Sequence, residues 1–508
     1  MVQFAFPSII TDRLILVLGL GETGLAAARW CAHHGASLRI VDTRVHPGGI
    51  DDFKAEFPSA RVDYRLAETR FETALLEDVG QIVLSPGLSP HEEPIKGFLK
   101  RATEAGIEVI GEIELFARAL NDMSAQGYVP KVLAVTGTNG KTTVTSMTRH
   151  LLVNSGFSAV AAGNISPAAL SALSVALEKD ELPEAWVLEL SSFQLESTSS
   201  LKPDAAVVLN VTQDHLDWHG SMESYAAAKA RLLQMARVPL VNRDDAWVVS
   251  MVSGLDELSV RSFGRGAPEL SGDLGLASEN GVNWLSVSES LDFDPPSAAA
   301  RRKNTPRQVR SEGRLNRLMP VDALKIRGTH NALNALAALG LARALGLGWA
   351  NLLHALRDYG GEPNRTEFVR SIAGVDFIND SKGTNVGATM AALEGLGQTV
   401  VLIAGGLGKG QDFSVLAPVV NTYASGVVLI GQDAGLLQQA LASTSARLER
   451  AETMADAVRK AMQLAIPGQA VLLSPACASM DMFKNYAHRA QAFIDAVNEL
   501  ALDHGEVA

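Results

Sequence analysis

The sequence predicts an α/β protein of three domains, each built on a mainly parallel β-sheet. A chain of 508 residues is longer than one hydrophobic core usually supports. Its recurring pattern is a short β-branched run, a glycine-bearing turn and an alanine-rich amphipathic stretch, as in the strand and helix alternation of parallel sheets. Three such units begin near Leu14, Val132 and Thr399. The predicted domains are residues 1–110, 111–361 and 362–508.

Composition narrows the class of protein. Forty-four Lys and Arg against 56 Asp and Glu give a net charge of −12, which disfavours a nucleic-acid partner. The two cysteines, Cys31 and Cys477, lie far apart, which argues against a disulfide scaffold and fits a reducing compartment such as the cytoplasm. No apolar run is long enough to predict a membrane span.

The first glycine-rich loop is GLGETG at residues 19–24, between a predicted strand and a predicted helix, and Asp42 ends the next strand. By spacing alone this is the dinucleotide-binding fingerprint, so a dehydrogenase is one candidate. The chemistry of the loop is more general, because backbone N–H groups at a helix N-terminus bind any diphosphate. The loop therefore predicts nucleotide binding and leaves open whether the ligand is NAD(P) or a UDP-sugar. A purely structural turn is the alternative.

The second loop contains Gly137, Thr138, Asn139, Gly140, Lys141, Thr142 and Thr143, and it also lies between a strand and a helix. Its amides can hold phosphates, Lys141 can reach the β and γ oxygens, and Thr142 can bind Mg²⁺. Val135 stands where the general phosphate-binding loop has its first glycine, so the loop departs from the general spacing. A chain with one loop for ATP and another for a second nucleotide is typical of a transferase or ligase.

Residues 286–322 differ in composition from their surroundings. They contain four prolines and the basic stretch RRKNTPRQVRSEGRLNR. Low hydrophobicity and high charge predict a solvated surface insertion in the central domain. A nucleic-acid or lipid role for this stretch is the alternative.

Several further blocks of the sequence resemble segments of a known protein family. With GTNGKTT (137–143), they are GNIS (163–166), ELSSFQLE (189–196), LNVTQDHLDWHG (209–220), YAAAKARL (225–232), GTHNALNALAA (328–338), INDSKGTNVGAT (378–389), GGLGKGQDF (405–413) and LLSPACASMDMFKNY (472–486). These blocks resemble the Mur ligase family, and ELSSFQLE with the last three most resembles the members that add D-glutamate. The resemblance covers most of residues 14–495 but not the stretch at 286–322.

The resemblance implies three α/β domains: a Rossmann-like UDP-binding domain, a central ATPase-like domain and a Rossmann-like acceptor domain. It implies a cytoplasmic ligase, expected to be a monomer, that uses ATP to join D-glutamate to UDP-N-acetylmuramoyl-L-alanine. The residues implied to bind the UDP-linked substrate are Thr23, Asp42, Thr43, Arg44, Ser85, Gly87, Ser191 and Gln194.

The family reaction requires ATP and Mg²⁺, with two metal sites expected. The resemblance implies that Lys141 neutralises phosphate charge and that Thr142 and Glu189 hold one Mg²⁺. His215 and Lys229, the latter as a carbamate, would hold the second. From the residues alone, the favoured interpretation of Glu189 is a polar strand end and that of His215 is a hydrogen-bonded or surface histidine, with His219 nearby; the resemblance reverses this for Glu189. The residues implied to contact ATP outside the loop are Asn164, Asn331, Arg365 and Asp380.

The acceptor carries two carboxylates and needs donors for both. The positions implied by the resemblance are Lys382, Thr384, Lys409, Ser479 and Tyr486. The chain departs from the family pattern at two places: Thr366 follows Arg365 where an aromatic residue is usual, and Tyr486 stands where Phe is common. A different Mur ligase or a folate ligase, and a non-catalytic nucleotide-binding protein, are the other classes considered.

Overall fold

The computed structural model describes residues 4–290, 310–326 and 328–505. These residues form two compact units. The larger unit contains an N-terminal and a central parallel sheet, and the smaller one contains the C-terminal sheet together with Pro320–Ala335. No helix among the described residues combines the length and the apolar character needed to cross a membrane.

The N-terminal elements alternate strand and helix from the first glycine loop onwards. They are β1 (Leu14–Leu18), α1 (Glu22–His33), β2 (Ser37–Asp42), α2 (Ile50–Glu56), β3 (Val62–Leu66), β4 (Val79–Leu84), α3 (Ile95–Glu104), β5 (Glu108–Ile110) and α4 (Glu112–Ser124). The five parallel strands have the order β3-β2-β1-β4-β5. This order reverses between β1 and β4, so the loops after these two strands border a crevice at the carboxyl edge of the sheet.

The central elements repeat the same alternation. They are β6 (Lys131–Thr136), α5 (Lys141–Asn154), β7 (Ala159–Gly163), α6 (Ala169–Glu178), β8 (Ala185–Glu189), α7 (Ser192–Glu196), β9 (Ala205–Val208), α8 (Leu216–His219), α9 (Met222–Met235), β10 (Val238–Asn242), α10 (Ala246–Ser250) and β11 (Arg261–Phe263). The six strands have the order β11-β10-β9-β6-β8-β7. The ATP-type loop after β6 therefore lies between the ends of β8 and β9.

A small sheet follows the central one. Its strands, β12 (Leu274–Glu279), β13 (Val282–Glu289) and β14 (Arg314–Pro320), have the order β12-β13-β14, and two helices follow, α11 (Thr329–Ala344) and α12 (Trp349–Asp358). The expectation of a solvated insertion at 286–322 is wrong at both ends, because they form parts of β13 and β14. Ser286 and Ser288 are buried, with their hydroxyl groups donating to the Trp284 and Glu269 carbonyls, and Met319 is 2% exposed. Residues 291–309 lie outside the described part.

The C-terminal elements are β15 (Glu367–Ile372), β16 (Val375–Asn379), α13 (Val386–Leu396), β17 (Val400–Gly405), α14 (Ala417–Tyr423), β18 (Ala424–Ile430), α15 (Ala434–Leu441), β19 (Arg447–Arg450), α16 (Met454–Leu464), β20 (Ala470–Leu473) and α17 (Tyr486–Asp503). The sheet order is β15-β16-β20-β17-β18-β19, with only β15 antiparallel to its neighbour among these described strands. The prediction of an α/β fold with three mainly parallel sheets is confirmed.

Buried apolar side chains fix the layers. One cluster runs from β1 and α1 through α4 to α6 and β8, so the N-terminal and central sheets share a continuous core. Trp30 and Trp186, both nearly inaccessible, are its largest members. Two other clusters cover the opposite faces of the C-terminal sheet. These cores hold the carboxyl ends of the strands, where the candidate residues lie.

Candidate functional site

The loop after β1 is a tight turn that requires glycine. Gly19 has φ +83°, and a Cβ atom on Gly24 would lie 1.9 Å from the carbonyl oxygen of Gly19. The Ser85 hydroxyl donates to that same carbonyl at 2.6 Å. Any side chain at position 24 would therefore collide with the loop, and the loop stays close to the first turn of α1.

Asp42 ties this loop to the end of β2. Its buried carboxylate accepts the Leu20 backbone N–H at 2.7 Å, and it accepts the Arg44 Nε and Nη2 atoms at 2.8 and 2.7 Å. Burial alone would raise the pKa of Asp42, but the Arg44 guanidinium and the two backbone N–H donors outweigh it and lower that pKa. Arg44 stays about half exposed and adds positive charge at the loop.

These residues surround a cavity of about 420 Å³. Of the positions predicted to bind the UDP-linked substrate, its walls contain Thr23, Asp42, Thr43, Arg44, Ser85, Gly87 and Gln194. Asn164, predicted to contact ATP, also lines it. Ser191 is absent from the described lining and forms a capping box with Gln194 at the start of α7. The structure thus gathers seven residues, predicted from four separate stretches of sequence, around one cavity.

The second loop is held in shape by Asn210, which follows β9. Asn210 accepts the Asn139 N–H at 2.8 Å and donates to the Asn139 carbonyl at 3.1 Å, while its own carbonyl accepts the Thr138 N–H at 2.9 Å. Gly140 has φ +83° at the start of α5. Strand β6 continues through Val135 to Thr136, which explains why no glycine is needed at position 135.

Two lysines converge on this loop. The Lys141 Nζ atom donates to the Gly137 and Thr138 carbonyls, both at 2.8 Å. The Lys229 Nζ atom donates to the same Gly137 carbonyl at 3.0 Å, and Lys229 is 1% exposed. The loop therefore brings two ammonium groups to one carbonyl oxygen, an arrangement that favours an anion nearby.

Tyr225 lies beside Lys229 and was given no role from the sequence. The Lys229 Nζ atom lies 4.5 Å from the Tyr225 ring centroid, and the Tyr225 and Thr138 hydroxyl groups are 3.1 Å apart. The His215 ring centroid is 6.3 Å from that of Tyr225. The spacing of Tyr225 and Lys229, four residues apart on one helix, is the signal that could have paired them.

Glu189 ends β8 and is 2% exposed. Its Oε1 atom accepts the Asn164 side-chain amide at 2.8 Å, whereas its Oε2 atom is buried with no hydrogen-bond partner in the described part of the chain. A buried carboxylate oxygen without a donor is costly unless a ligand satisfies it. Carboxylate oxygen is also the donor type that Mg²⁺ prefers, so the position fits a metal ion.

Two other predicted metal ligands, Thr142 and His215, lie in different environments. Thr142 is buried in the first turn of α5, next to the buried Thr143. His215 has φ +53° before α8, with its ring 4.8 Å from that of Phe193, whereas the His219 Nε2 atom is 2.8 Å from the Ser192 hydroxyl. Within the described ranges, no group of three or more His, Cys, Asp or Glu side chains is arranged for a metal ion.

In the C-terminal unit, the predicted acceptor residues lie at one edge of the sheet. Lys382 and Thr384 follow β16, Lys409 follows β17 and Ser479 follows β20, and these three parallel strands are neighbours. Tyr486 begins α17, its carbonyl accepts the Ser381 hydroxyl at 2.8 Å, and its ring centroid is 5.1 Å from the Lys382 Nζ atom. Lys409 is exposed with φ +51°, while Ser479 is buried.

Asp380 lies at the same edge and is buried. Its Oδ2 atom accepts the Ser474 hydroxyl at 2.7 Å and its Oδ1 atom accepts the Thr366 N–H at 3.2 Å. Burial raises the pKa of Asp380 to about 6, although Ser474 and Arg365 oppose the change. Thr366, one of the departures from the family pattern, has φ +42° and serves through its backbone. Asn331 is buried near the start of α11 in this unit.

Arg489 on α17 was missed by the sequence reasoning. It is 1% exposed, and its guanidinium donates to the Ser381 hydroxyl at 3.1 Å, the Ser381 carbonyl at 2.8 Å and the Cys477 carbonyl at 3.0 Å. Burial lowers the pKa of Arg489 to about 10. This arginine holds together the loops that follow β16 and β20, which contain Lys382 and Ser479.

The three sheets and their loops define a class of protein, and sequence comparison agrees with it: the chain belongs to the Mur ligase family. Residues 13–111 match the Mur ligase MurD-like N-terminal domain, residues 135–342 the Mur ligase middle domain, and residues 364–477 the Mur ligase glutamate ligase domain.

Among individual relatives, the chain is 62% identical to the UDP-N-acetylmuramoylalanine--D-glutamate ligase of Bordetella avium, over 97% of each chain. It is 52% identical to the enzyme of the same name from Paraburkholderia xenovorans, again over 97% of each chain. The solved structure of UDP-N-acetylmuramate-alanine ligase from Thermotoga maritima is similar in fold, with a TM-score of 0.53, 17% identity and coverage of 96% of this chain and 99% of that one.

Proposed function

We propose that the chain uses ATP to join D-glutamate to UDP-N-acetylmuramoyl-L-alanine in the synthesis of peptidoglycan precursors. The observation that carries this proposal is 62% identity, over 97% of both chains, to a ligase named for that reaction. The geometry of the larger unit supports it, because a cavity suited to a UDP-linked substrate and a loop suited to ATP belong to the same compact unit. A dehydrogenase would not need the second loop.

The reaction has to activate a carboxylate, which is a poor electrophile. The L-alanyl carboxylate oxygen attacks the γ-phosphorus of ATP, the bond to the β,γ-bridging oxygen breaks, and ADP leaves. The D-glutamate amine then attacks the carbonyl carbon of the acyl phosphate, loses a proton, and displaces inorganic phosphate as the amide forms. Each step gathers negative charge, so catalysis depends on preorganised cations and N–H donors.

The loop at Gly137–Thr143 is suited to the phosphates of ATP. Its backbone is fixed by Asn210, and we propose that Lys141 releases its contacts with the Gly137 and Thr138 carbonyls to neutralise the β- and γ-phosphates. The family pattern assigns ATP contacts also to Asn164, Asn331, Arg365 and Asp380. These assignments rest on the resemblance in the blocks that contain them.

Magnesium would be held by Thr142 and Glu189 at one site and by His215 with carbamylated Lys229 at the other. The Glu189 Oε2 atom, which is buried and has no hydrogen-bond partner among the described residues, supports the first site. Bound Mg²⁺ would neutralise phosphate charge as the phosphoryl group is transferred. Asn164 orients the Glu189 carboxylate through its side-chain amide.

For the other substrates, we propose that the N-terminal cavity takes the UDP moiety, with Arg44 and the first turn of α1 facing the diphosphate, and that Ser191 and Gln194 contact the muramoyl part. Lys382, Thr384, Lys409, Ser479 and Tyr486 would bind the two carboxylates of D-glutamate. The domain roles follow: residues 1–110 for UDP, 111–361 for ATP and 362–508 for the acceptor. A cytoplasmic monomer is the proposed state.

The test is phosphate release by the full chain. Release should require ATP, Mg²⁺, UDP-N-acetylmuramoyl-L-alanine and D-glutamate together, and omission of any one should abolish it. Each candidate amino acid and each UDP-muramoyl precursor is then substituted in turn. Preference for L-alanine or a diamino acid would contradict the proposed acceptor while leaving the family membership intact.

A further inference from the structure

A short turn between β7 and α6 contacts both the N-terminal cavity and Glu189. The Gly163 N–H donates to the Pro167 carbonyl at 3.0 Å and so closes the turn. Within it, the Asn164 side chain donates to the Glu189 carboxylate, and the Ser166 hydroxyl donates to the Glu22 carboxylate. One five-residue turn therefore bonds to two carboxylates, one in the first turn of α1 and one at the end of β8.

Glu22 places one end of this connection at the cavity. It is the first residue of α1 and lines the cavity, and neither sequence reasoning nor the family pattern gave it a role. A diphosphate at this helix N-terminus would lie close to the Glu22 carboxylate, and two anions in proximity repel each other. Binding of the UDP-linked substrate should therefore displace or reorient Glu22.

The other end of the turn is rigidly attached to Glu189. The Asn164 backbone N–H donates to the Glu189 carbonyl at 2.7 Å, in addition to the side-chain bond. A Cβ atom on Gly163 would lie 2.4 Å from the Glu189 carbonyl oxygen, so the two backbones are in close contact. Glu112 fixes the following helix, because its Oε1 atom accepts the Leu170 N–H at 2.6 Å. A turn held on both sides transmits a displacement of Ser166 to Asn164.

We propose that Glu22 and Ser166 are positioning residues that couple binding of the UDP-linked substrate to the placement of the Glu189 carboxylate. The inference rests on the proposed function for the identity of the two ligands. By linkage, the nucleotide and metal bound near Glu189 must change the affinity for the UDP-linked substrate by a certain factor, and the bound UDP-linked substrate must change the affinity for the nucleotide and metal by the same factor. The connection runs from Glu22 through Ser166 and Asn164 to Glu189.

The test measures this coupling factor in the full chain by calorimetry. UDP-N-acetylmuramoyl-L-alanine is titrated with and without a non-hydrolysable ATP analogue and Mg²⁺, and the ratio of the two Kd values is compared between variants. The wild type should show a ratio that differs from one by about fivefold or more, the lower range of allosteric coupling. In Ser166→Ala the ratio should approach one, while Kd for the substrate alone changes by less than about threefold, since Ser166 is not among the residues described as lining the cavity.

Three further variants separate coupling from a structural effect. Ser166→Thr keeps the hydroxyl and should restore the ratio. Glu22→Ala should bring the ratio of Kd values close to one, as Ser166→Ala does. The double variant should lose no more of the coupling than either single variant. Ser250→Ala is the matched control, because it removes an exposed hydroxyl that donates to the Trp247 carbonyl at 2.7 Å elsewhere in the same unit.

The proposal is overturned by a wild-type ratio of one, or by a ratio in Ser166→Ala and Glu22→Ala that equals the wild-type ratio. Because Glu22 is exposed, the Glu22→Ala variant tests the idea even if Ser166→Ala fails to fold. Absence of any substrate binding by the wild type would instead contradict the proposed function.

Discussion

Two buried glutamates on one helix should give opposite dependences of stability on pH. Glu112 is 3% exposed; its Oε1 atom accepts only the Leu170 N–H in the described structure, and its Oε2 atom has no partner there. Burial raises the pKa of Glu112 from 4.5 to about 7; the Leu170 hydrogen bond opposes this rise in part, and the charge of Glu22 adds a smaller increase. Glu114 is equally buried, but its carboxylate accepts the Ser199 and Ser200 N–H groups at 2.7 and 2.9 Å.

The sign for Glu112 follows from linkage. Because its folded pKa lies above the unfolded one, the contribution to stability is complete below about pH 4.5 and is lost as pH rises through about 7. The difference between the two pKa values corresponds to a free energy of unfolding of about 3 kcal/mol at most. Glu112→Gln keeps an oxygen acceptor for Leu170 and never ionises. The free energy of unfolding of this variant, relative to that of the wild type, should therefore rise by up to about 3 kcal/mol between about pH 5 and about pH 8.

Glu114→Gln is the matched control with the reverse sign. Burial would raise the pKa of Glu114, but the Ser199 and Ser200 donors and Arg118 outweigh it and lower that pKa. Its contribution is present at neutral pH and is lost as pH falls below the ordinary range of a carboxyl group, so Glu114→Gln should destabilise most at neutral pH.

The assay is urea unfolding from about pH 3, below the ordinary range of a carboxyl group, to about pH 8, with hydrogen exchange of the α4 and α6 amides to report on the region itself. Parallel pH profiles for wild type and Glu112→Gln would refute the buried, ionisable state of Glu112. If the change in the free energy of unfolding had the same pH dependence in both glutamine variants, the number of N–H donors to each carboxylate would not explain the pKa of these two residues.

Three predictions concern the proposed catalytic groups and the central domain. Lys141→Ala should lower kcat at least about 10²-fold in the phosphate-release assay, the scale for removing a preorganised charge-stabilising donor, and near-normal turnover would contradict its role. Lys229→Ala should lose most activity, and high acetate should restore part of it by supplying the carboxylate that a carbamate would provide; full activity without acetate would exclude the carbamate. Replacing residues 291–309 by a short Gly and Ser linker should leave kcat within a few-fold, because β13 and β14 stay intact on either side. A folded but inactive variant would show that this stretch contributes to the reaction.

Local patterns made much of the fold predictable. At GLGETG and at GTNGKTT, adjacent residues are enough to predict a strand, a glycine turn and a helix in that order. The structure places the first loop at the carboxyl end of β1 and the second at the carboxyl end of β6. The strands at 286–289 and 314–320 were not predicted, because proline and charge in the same stretch outweighed a short apolar alternation. Composition averaged over such a stretch hides strands at its two ends.

Contacts between distant residues could not be predicted in the same way. Asn210 and Tyr225 shape the ATP-type loop from positions 71 and 87 residues away from their partners Asn139 and Thr138. Arg489 resembles an ordinary exposed helix residue in the sequence, yet its buried guanidinium is satisfied by Ser381 and Cys477. Such polar contacts depend on which loops the sheet brings together, and a single sequence without spatial neighbours does not contain that information.

The first loop shows how one spacing can serve two kinds of ligand. In dinucleotide-binding domains, the acidic residue after the second strand accepts hydrogen bonds from ribose hydroxyls. In this protein, the Asp42 carboxylate already accepts the Leu20 and Arg44 backbone N–H groups and the Arg44 guanidinium, so its oxygens are engaged within the chain. The half-exposed Arg44 then offers positive charge for a diphosphate, which a UDP-sugar and a dinucleotide share. The feature that disfavours the dinucleotide is the engaged Asp42 carboxylate, which has no oxygen left over for a ribose.

We therefore expect calorimetry to show binding of the UDP-linked substrate and no binding of NADH or NADPH. Arg44→Ala should weaken binding of the UDP-linked substrate by about tenfold or more, since a charge-assisted hydrogen bond contributes about 1.5–3 kcal/mol. Arg70→Ala is the control and should leave Kd unchanged, because Arg70 is an exposed arginine of the same domain that is not among the residues described as lining the cavity. Micromolar binding of NADH together with no binding of the UDP-linked substrate would contradict this account, because it would require Asp42 to exchange Arg44 for a ribose.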